Sequence, residues 1–521
     1  MKCVNYKQRA KLITLIFCLL AGTAMCFLHE PWTDEAQSWN MAKNLDFFGL
    51  VSAIRTEGHP ILYHLLLKPF TYILPFRFCT LSSLVFGSIG LCYLYKSRID
   101  YRLFIFFCLS PLSWYFSLAF ARSYALCLTF FGLIYYLWDL REKYSILLGL
   151  VFALSFSVHF MFTAVTGILA FIFGIEQVKS IVSKFKKHKI MALREIRPEL
   201  MTGLLLLIGV LLVFNQFMLV DFTTGAGTID NAFENGGIYR LCSDLTNSTV
   251  YIPAPASLSW VIILSFCLFL LVLFAALLTD IVSGAYLIIS GIAVIIMFAR
   301  VNLTTPQKAT FLLYVFMFTL MLQKPTKRKI NLVCILIICT FTSNYHALCD
   351  TYADFDGSLS YASIVEEYVP RGSKLAILNS AMDYSMLTYV QADYDTYILN
   401  NVDMKAGYIQ WGTDTSIDPA MIRYYKQECS LSSTFRAYLL DKGFKAGDTL
   451  YISFPIIEIG YPPDAVADDG SATRALTEEE QAKVHYITAD ELVSDGFTLV
   501  YDWSSSGTLY FTEAYLVKIT L

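Results

Sequence analysis

The feature that most constrains this chain is a succession of long apolar runs. They lie near 11–28, 77–95, 103–117, 122–138, 144–159, 161–177, 201–220, 259–279, 282–299, 308–323 and 330–346. A membrane crossing takes about 20 mostly apolar residues, so about eleven spans are expected. The chain is 56% hydrophobic and 15% aromatic, with 33 Tyr and 40 Phe. That content suits a multi-span membrane protein with interfacial rings and excludes a soluble enzyme of this size. The basic start and first apolar run look like a signal peptide, but the runs that follow make an uncleaved first helix the better reading.

Charge divides the chain in two. Residues 1–349 hold 28 Lys and Arg against 16 Asp and Glu, whereas 350–521 hold 11 against 26. A membrane domain over 1–349 and an acidic, water-facing domain over 350–521 follow. With the N-terminus in the cytoplasm and the spans alternating, 20 of those 28 basic residues fall on the inner side. The positive-inside rule therefore puts the C-terminal domain outside. The stretch 59–76 carries His64, Lys68, Pro69 and Pro75. It reads as an interfacial or re-entrant helix, and 34–56 as one or two amphipathic helices on the membrane surface. The 13 Cys lie mostly inside apolar runs and include no CxxC, so no disulfide framework is expected.

Within 350–521, "SKLAILNS", "DTYILNN", "DTLYISFP", "FTLVYDW" and "TLYFTEAYLVKI" read as strands. "SYASIVEEYV" and "PAMIRYYKQECSLSSTFRAYLLDKG" read as helices, giving a small α/β domain. The Gly-rich outer loop 221–258 reads as a mobile lid.

Polar residues gather at one membrane side: His29, Glu30, Asp34, Glu35, His59, Arg77, Arg122, His159, Arg300 and Lys308 all fall at outer span ends or in outer loops. Charge at membrane depth costs at least ~2.5–3.5 kcal/mol and is usually paired or functional. One water-accessible outer cavity is the expectation.

The motifs "WTDEAQSW", "EGHPILYHLLL", "RFCTLSSLVFG", "ARSYALCL" and "SVHF" occur in that order over the first 165 residues. In order and spacing this resembles the polyprenyl-phosphate-sugar glycosyltransferases of the GT-C fold, a group that includes protein O-mannosyltransferases and aminoarabinose transferases. The resemblance implies a mainly α, multi-pass domain of GT-C type over 1–349, with a catalytic first outer loop at 29–76 and an extracytoplasmic α/β domain after it. It implies a hexosyl- or pentosyltransferase, inverting, with a lipid-linked sugar as donor. Where the family often has an acidic residue before "AR", this chain has Phe120; that departure leaves a divalent metal open.

Such a transfer needs a base for the acceptor proton and cations for the departing phosphate. Asp34 is the candidate base, since an ordinary carboxylate is already ionised at neutral pH; "TDEA" is also a good helix start, so Asp34 as a cap is the competing role. Glu35 is assigned to the acceptor or to its neighbouring base. Arg77, Arg122 and Tyr124 are candidates for the donor phosphate, with Arg300 and Lys308 behind them. His59 and His159 are candidates for sugar, phosphate or metal, and Trp32 for stacking on substrate. The partners expected are the polyprenyl-phosphate sugar and membrane lipids, with no nucleic acid. A protein, a lipid or a cell-wall glycan is open as acceptor. Two rivals are a flippase or transporter of a polyprenyl-linked glycan and a non-enzymatic scaffold. The first would need charges near mid-membrane.

Overall fold

A computed structural model describes residues 6–57, 59–188, 195–219, 237–250, 256–300, 306–323, 325–352, 357–378, 381–399, 401, 403–410, 430–456, 458–459, 476–506 and 511–521. The expected lid over 221–258 falls largely outside them, apart from a helix at Gly237–Thr249. The chain divides into two compact units. One comprises Met1–His29, Phe47–Phe70 and Phe78–Leu348; the other comprises Glu30–Asp46, Thr71–Arg77 and Cys349–Leu521.

The first unit is helical. Its helices are α1 (Tyr6–Leu28), α3 (Phe47–Glu57), most of α4 (Leu62–Ile73), α5 (Thr80–Lys96), α6 (Tyr101–Leu109), α7 (Pro111–Trp114), α8 (Tyr124–Trp138), α9 (Ser145–Ser155), α10 (Phe160–His188) and α11 (Arg197–Leu219). After these come α12 (Gly237–Thr249), α13 (Ala256–Leu277), α14 (Ile281–Arg300), α15 (Ala309–Leu322), α16 (Lys327–Cys339) and the start of α17 (Asn344–Tyr352). Among the described residues, six helical segments are long and apolar enough to cross a membrane by length and composition, and four more apolar helices are shorter. The run at 103–117 is not one helix. Ser110 accepts a hydrogen bond from the Leu112 amide and Pro111 opens a new short helix, so the chain breaks there. Helix α4, with twelve residues and Pro69 inside it, is too short to span.

Close helix contact comes from small residues. A Cβ on Gly132 of α8 would strike the Gly90 carbonyl of α5, and one on Gly90 would strike the Leu128 carbonyl. The two backbones touch because neither glycine holds them apart, which is how apolar helices gain packing without a hydrophobic drive between them.

The second unit is built on a five-stranded sheet. Its strands are β1 (Lys374–Ile377), β2 (Asp395–Ile398), β3 (Thr449–Pro455), β6 (Thr498–Ser506) and β7 (Phe511–Thr520), in the order β2-β1-β3-β7-β6. A two-stranded ribbon pairs β4 (Glu458–Ile459) with β5 (His485–Tyr486). The β2-β1-β3 side is parallel and the β3-β7-β6 side antiparallel. Alternate residues Ala376, Leu450, Ile452, Phe454, Val517 and Ile519 pack with Leu431, Phe435 and Leu439 of a helix at Leu431–Asp441. The 419–429 part of the helix expected there lies outside the described residues.

This unit also takes in α2 (Thr33–Asn44). The expectation of an amphipathic surface helix fails here, because every residue from Glu35 to Ala42 is buried. Buried polar side chains tie α2 to α19 (Ala381–Val390) and the loop after β2. The Asn40 amide donates to Tyr384 Oη at 2.8 Å and Thr388 Oγ1 at 2.9 Å, and accepts from Gln391 at 3.1 Å. Gln37 makes a two-way pair with the Ile409 backbone, both bonds 2.9 Å. Just before α2, the Glu30 carboxylate accepts from the Gly357 and Leu359 amides at the start of α18 (Ser358–Tyr368), where helix polarity favours an anion.

Candidate functional site

In the first unit, four separated segments bring candidate residues together. His59 leads into α4, Arg122 precedes α8, whose first residue is Tyr124, His159 immediately precedes α10, and Lys308 immediately precedes α15. Arg122 is nearly buried, and its Nη2 donates to His59 Nε2 at 3.2 Å. The His59 and His159 rings meet edge to face with centroids 5.6 Å apart. Tyr124 lies 5.6 Å from the His159 ring and Phe311 4.7 Å from it. Arg122 and Lys308 are both within electrostatic range of His159.

The local sequence explains why these groups converge. The Leu62 amide donates to the Ser157 carbonyl at 3.1 Å, and Gln216 of α11 accepts from the Ile61 amide while donating to Ser157 Oγ at 3.2 Å. That clasp pins the start of α4 to the turn that carries His159. Sequence reading missed Ser157 and Gln216. Gln216 was visible as a polar residue inside the apolar run 201–220, a position where a partner has to be supplied. The Met161 amide donates to His159 Nδ1 at 3.2 Å, so neutral His159 carries its proton on Nε2.

Two permanent cations stand beside the N-termini of helices of 12, 15, 29 and 14 residues. Each N-terminus contributes unpaired amides and the positive end of its dipole. Such a convergence suits an anion, and phosphate above all. Beside it, an apolar cleft of about 770 Å³ runs between α10 and α11. Phe156 and Thr163 line one end, near His159, and Lys179 the other. Gly167 and Gly203 line it, and a Cβ on either would meet nothing within 4 Å.

The other candidates belong to the second unit. Glu35 is fully buried, and its Oε2 accepts from the Trp32 amide at 3.1 Å, closing the first turn of α2. The cap that "TDEA" promised is therefore made by Glu35 reaching back, and Asp34 is a half-buried first-turn residue rather than the cap. Thr33 pairs with Ser385 at 3.2 Å. Trp32 is half-buried, and so is Arg77, next to Phe76, whose ring packs on Trp39 and Tyr389 at 6.2 and 4.9 Å. The Arg300 side chain lies outside the described residues.

Phe120, which stands where an acidic residue was expected, stacks on His29 at 4.3 Å in a ring cluster with Tyr115 and Phe116. Among the described residues, no group of three or more His, Cys, Asp or Glu is placed to hold a metal ion.

No family model matches the chain, and no curated protein does. Among solved structures, the chain is similar to the apo crystal structure of ArnT from Cupriavidus metallidurans, with 11% identity, 97% of each chain covered and a TM-score of 0.35.

Proposed function

We propose that this membrane protein is a glycosyltransferase that moves a sugar from a polyprenyl-phosphate donor to an acceptor on the outer face of the membrane. The observation that carries the reading is the meeting of Arg122, His59, His159 and Lys308 at four helix starts. Arg122 and Lys308, candidates for the donor phosphate, thus lie near His59 and His159, candidates for sugar, phosphate or metal. The apolar cleft beside it has the character needed for an isoprenoid chain.

In this reading Arg122 and Lys308 hold the donor phosphate and neutralise the charge that grows on it as the glycosidic bond breaks. Arg122 does so with a planar fork matched to phosphate oxygens. Helix-start amides add fixed partial charge at no cost of reorganisation. His59 is oriented by Arg122 and donates from Nδ1, while His159 donates from Nε2, both toward phosphate or sugar. The anomeric carbon develops oxocarbenium character. Asp34 is kept as the base for the acceptor hydroxyl or amine on sequence grounds, and attack opposite the leaving phosphate would invert the anomeric centre. Glu35 holds the first turn of α2 and so fixes Asp34. Arg77 and Arg300 remain donor-phosphate candidates on sequence grounds, and Trp32 a stacking one.

The test is a transfer assay with purified protein in nanodiscs, supplied with polyprenyl-phosphate sugars and mixed acceptors. Transfer by wild type and its loss in Asp34→Asn and Arg122→Ala are the expected results. Wild type that transfers from no polyprenyl donor, or an Asp34→Asn variant with full rate, refutes the mechanism.

A further inference from the structure

Helix α15 starts beside His159 and ends about 21 Å further on, at 1.5 Å per residue. There the turn from α15 to α16 meets the turn from α13 to α14. Gln323, just past α15, donates to the Leu277 carbonyl at 2.8 Å and to Ser283 Oγ at 2.9 Å. Its Oε1 accepts from Lys329 Nζ at 2.6 Å and from Thr279 Oγ1 at 3.3 Å. Lys329 also donates to Thr279 Oγ1 at 2.6 Å. One network thus ties four helix ends together. It fixes the Lys329 ammonium and leaves one of its three protons to give.

A cavity of about 420 Å³ opens at this junction. Val272, Ala275 and Ala276 of α13 form its apolar side, and Thr326, Arg328 and Lys329 its polar side. Arg328 is exposed and, among the described residues, has neither a hydrogen bond nor an ion pair. Asp280, which is within electrostatic range of Lys329, gives both carboxylate oxygens to Ser283. With Lys327 exposed beside them, three cations stand against that one carboxylate.

The apolar side continues up the surface of α13. Leu264, Leu268, Leu271 and Val272 are each more than half exposed, and their spacing puts them with Ala275 on one side of the helix. From Leu264 to Ala275 this ridge runs about 16 Å, close to half of a hydrocarbon core about 30 Å thick. On α16, Ile335 and Ile338 are exposed beyond Arg328. Two apolar ridges of about one leaflet's depth therefore end in cations. The positive-inside reading puts this basic tract, "KPTKRK", on the cytoplasmic side. A soluble anion would use the polar side alone, and a second copy of the chain would bring the same cations against these.

We infer that this groove binds an anionic phospholipid of the inner leaflet. Arg328 and Lys329 hold its phosphate, and one acyl chain lies along the ridge from Leu264 to Ala275. Arg328 offers several N–H groups to the phosphate oxygens, and Lys329 its remaining proton. Bound there, the lipid bridges α13 and α16 and steadies the turn that ends α15. The site is separate from the donor-phosphate reading, and either can fail without the other.

The test uses full-length wild type and the variants Arg328→Gln, Arg328→Lys, Ala275→Phe and Lys186→Gln in a neutral detergent. Each is titrated with dioleoyl-phosphatidylglycerol, dioleoyl-phosphatidylcholine and glycerophosphate, with binding read by native mass spectrometry and by Tm. Wild type should bind phosphatidylglycerol about 25-fold more tightly than phosphatidylcholine, the worth of two cations near a membrane surface. Its Tm should rise with phosphatidylglycerol. Arg328→Gln should lose about 5-fold, the worth of one cation, and Arg328→Lys should keep most of the affinity. Ala275→Phe fills the groove from an exposed position and should weaken binding with no charge lost. Lys186→Gln, at the exposed end of α10, should leave it unchanged.

Equal affinity for the two lipids would overturn the inference. So would equal losses in Arg328→Gln and Lys186→Gln, which reduce the effect to diffuse attraction. Glycerophosphate binding as tightly as phosphatidylglycerol would overturn it by making the site one for a soluble anion. Normal binding by Ala275→Phe would take the acyl chain off the ridge and remove the lipid site with it.

Discussion

The two units bury polar groups to opposite ends. Around α2, nearly every polar residue is answered. Glu30 has two amides, Thr33 a hydroxyl, Glu35 an amide, Gln37 both ends of a backbone unit, and Asn40 three side chains. In the four-helix cluster of the first unit, cations and helix starts stand together. A satisfied network fixes one structure. The segment "WTDEAQSW" thus divides by residue. Most of it is a clasp onto α19 and its neighbours, which leaves Asp34 as its chemical candidate.

The largest expected effect follows from that division. Asp34→Asn should lower kcat about 10²–10⁴-fold, the usual worth of a positioned base, with Tm unchanged, measured by steady-state transfer and thermal melting together. A slow enzyme with a lowered Tm would instead mark Asp34 as one more part of the clasp.

Arg122→Ala comes next, with about 10²–10³ lost from kcat/KM, comparable to removing an oxyanion donor. Arg122→Lys should recover only part of it, since a point charge lacks the fork. Full recovery by Lys would show that charge alone matters and would weaken the orienting role given to the Arg122–His59 bond.

Asn40→Leu should then destabilise the second unit by about 2–3 kcal/mol in denaturant titration, because it removes three buried hydrogen bonds, to Tyr384, Thr388 and Gln391, each of which keeps a backbone partner. A change under about 0.5 kcal/mol, the size of an ordinary surface substitution, would contradict the view that this network is what secures α2.

The smallest effect concerns pH. Asp383 on α19 is buried and hydrogen-bonded to Ser453, which also accepts from Tyr361 at 2.9 Å. Burial raises the Asp383 pKa to about 7, with the Ser453 bond opposing. Between the ordinary carboxylate value and about 7, the folded form binds more protons than the unfolded one, so stability is greatest below that window and falls as pH rises through it. The decline should appear as a loss of unfolding free energy across that window, and Asp383→Asn should flatten it. An equal decline in the Asn variant would assign the pH dependence to other groups.

Much of this was legible in the sequence because it is local. Apolar length and basic flanks mark membrane helices, and alternation marks β1, β2, β3, β6 and β7. Legibility failed where a residue's partner is far away in the chain. The run at 103–117 was read by hydropathy through Ser110 and Pro111, whose turn chemistry ends the helix. Helix α2 was read as a surface element because its polar residues look solvated. Nothing local shows that Asn40 meets Tyr384 or that Gln37 meets Ile409.

The sequence by itself determined that the chain is a membrane protein with an acidic α/β domain at its C-terminal end, since periodicity and charge are properties of each segment alone. It also nominated His59, Arg122, His159 and Lys308 singly. Only the tertiary structure decided that these four meet and that Ser157 and Gln216 clasp them. The physical reason is that convergence of helix starts and satisfaction of buried polar atoms depend on how distant segments pack. A linear pattern carries no term for that.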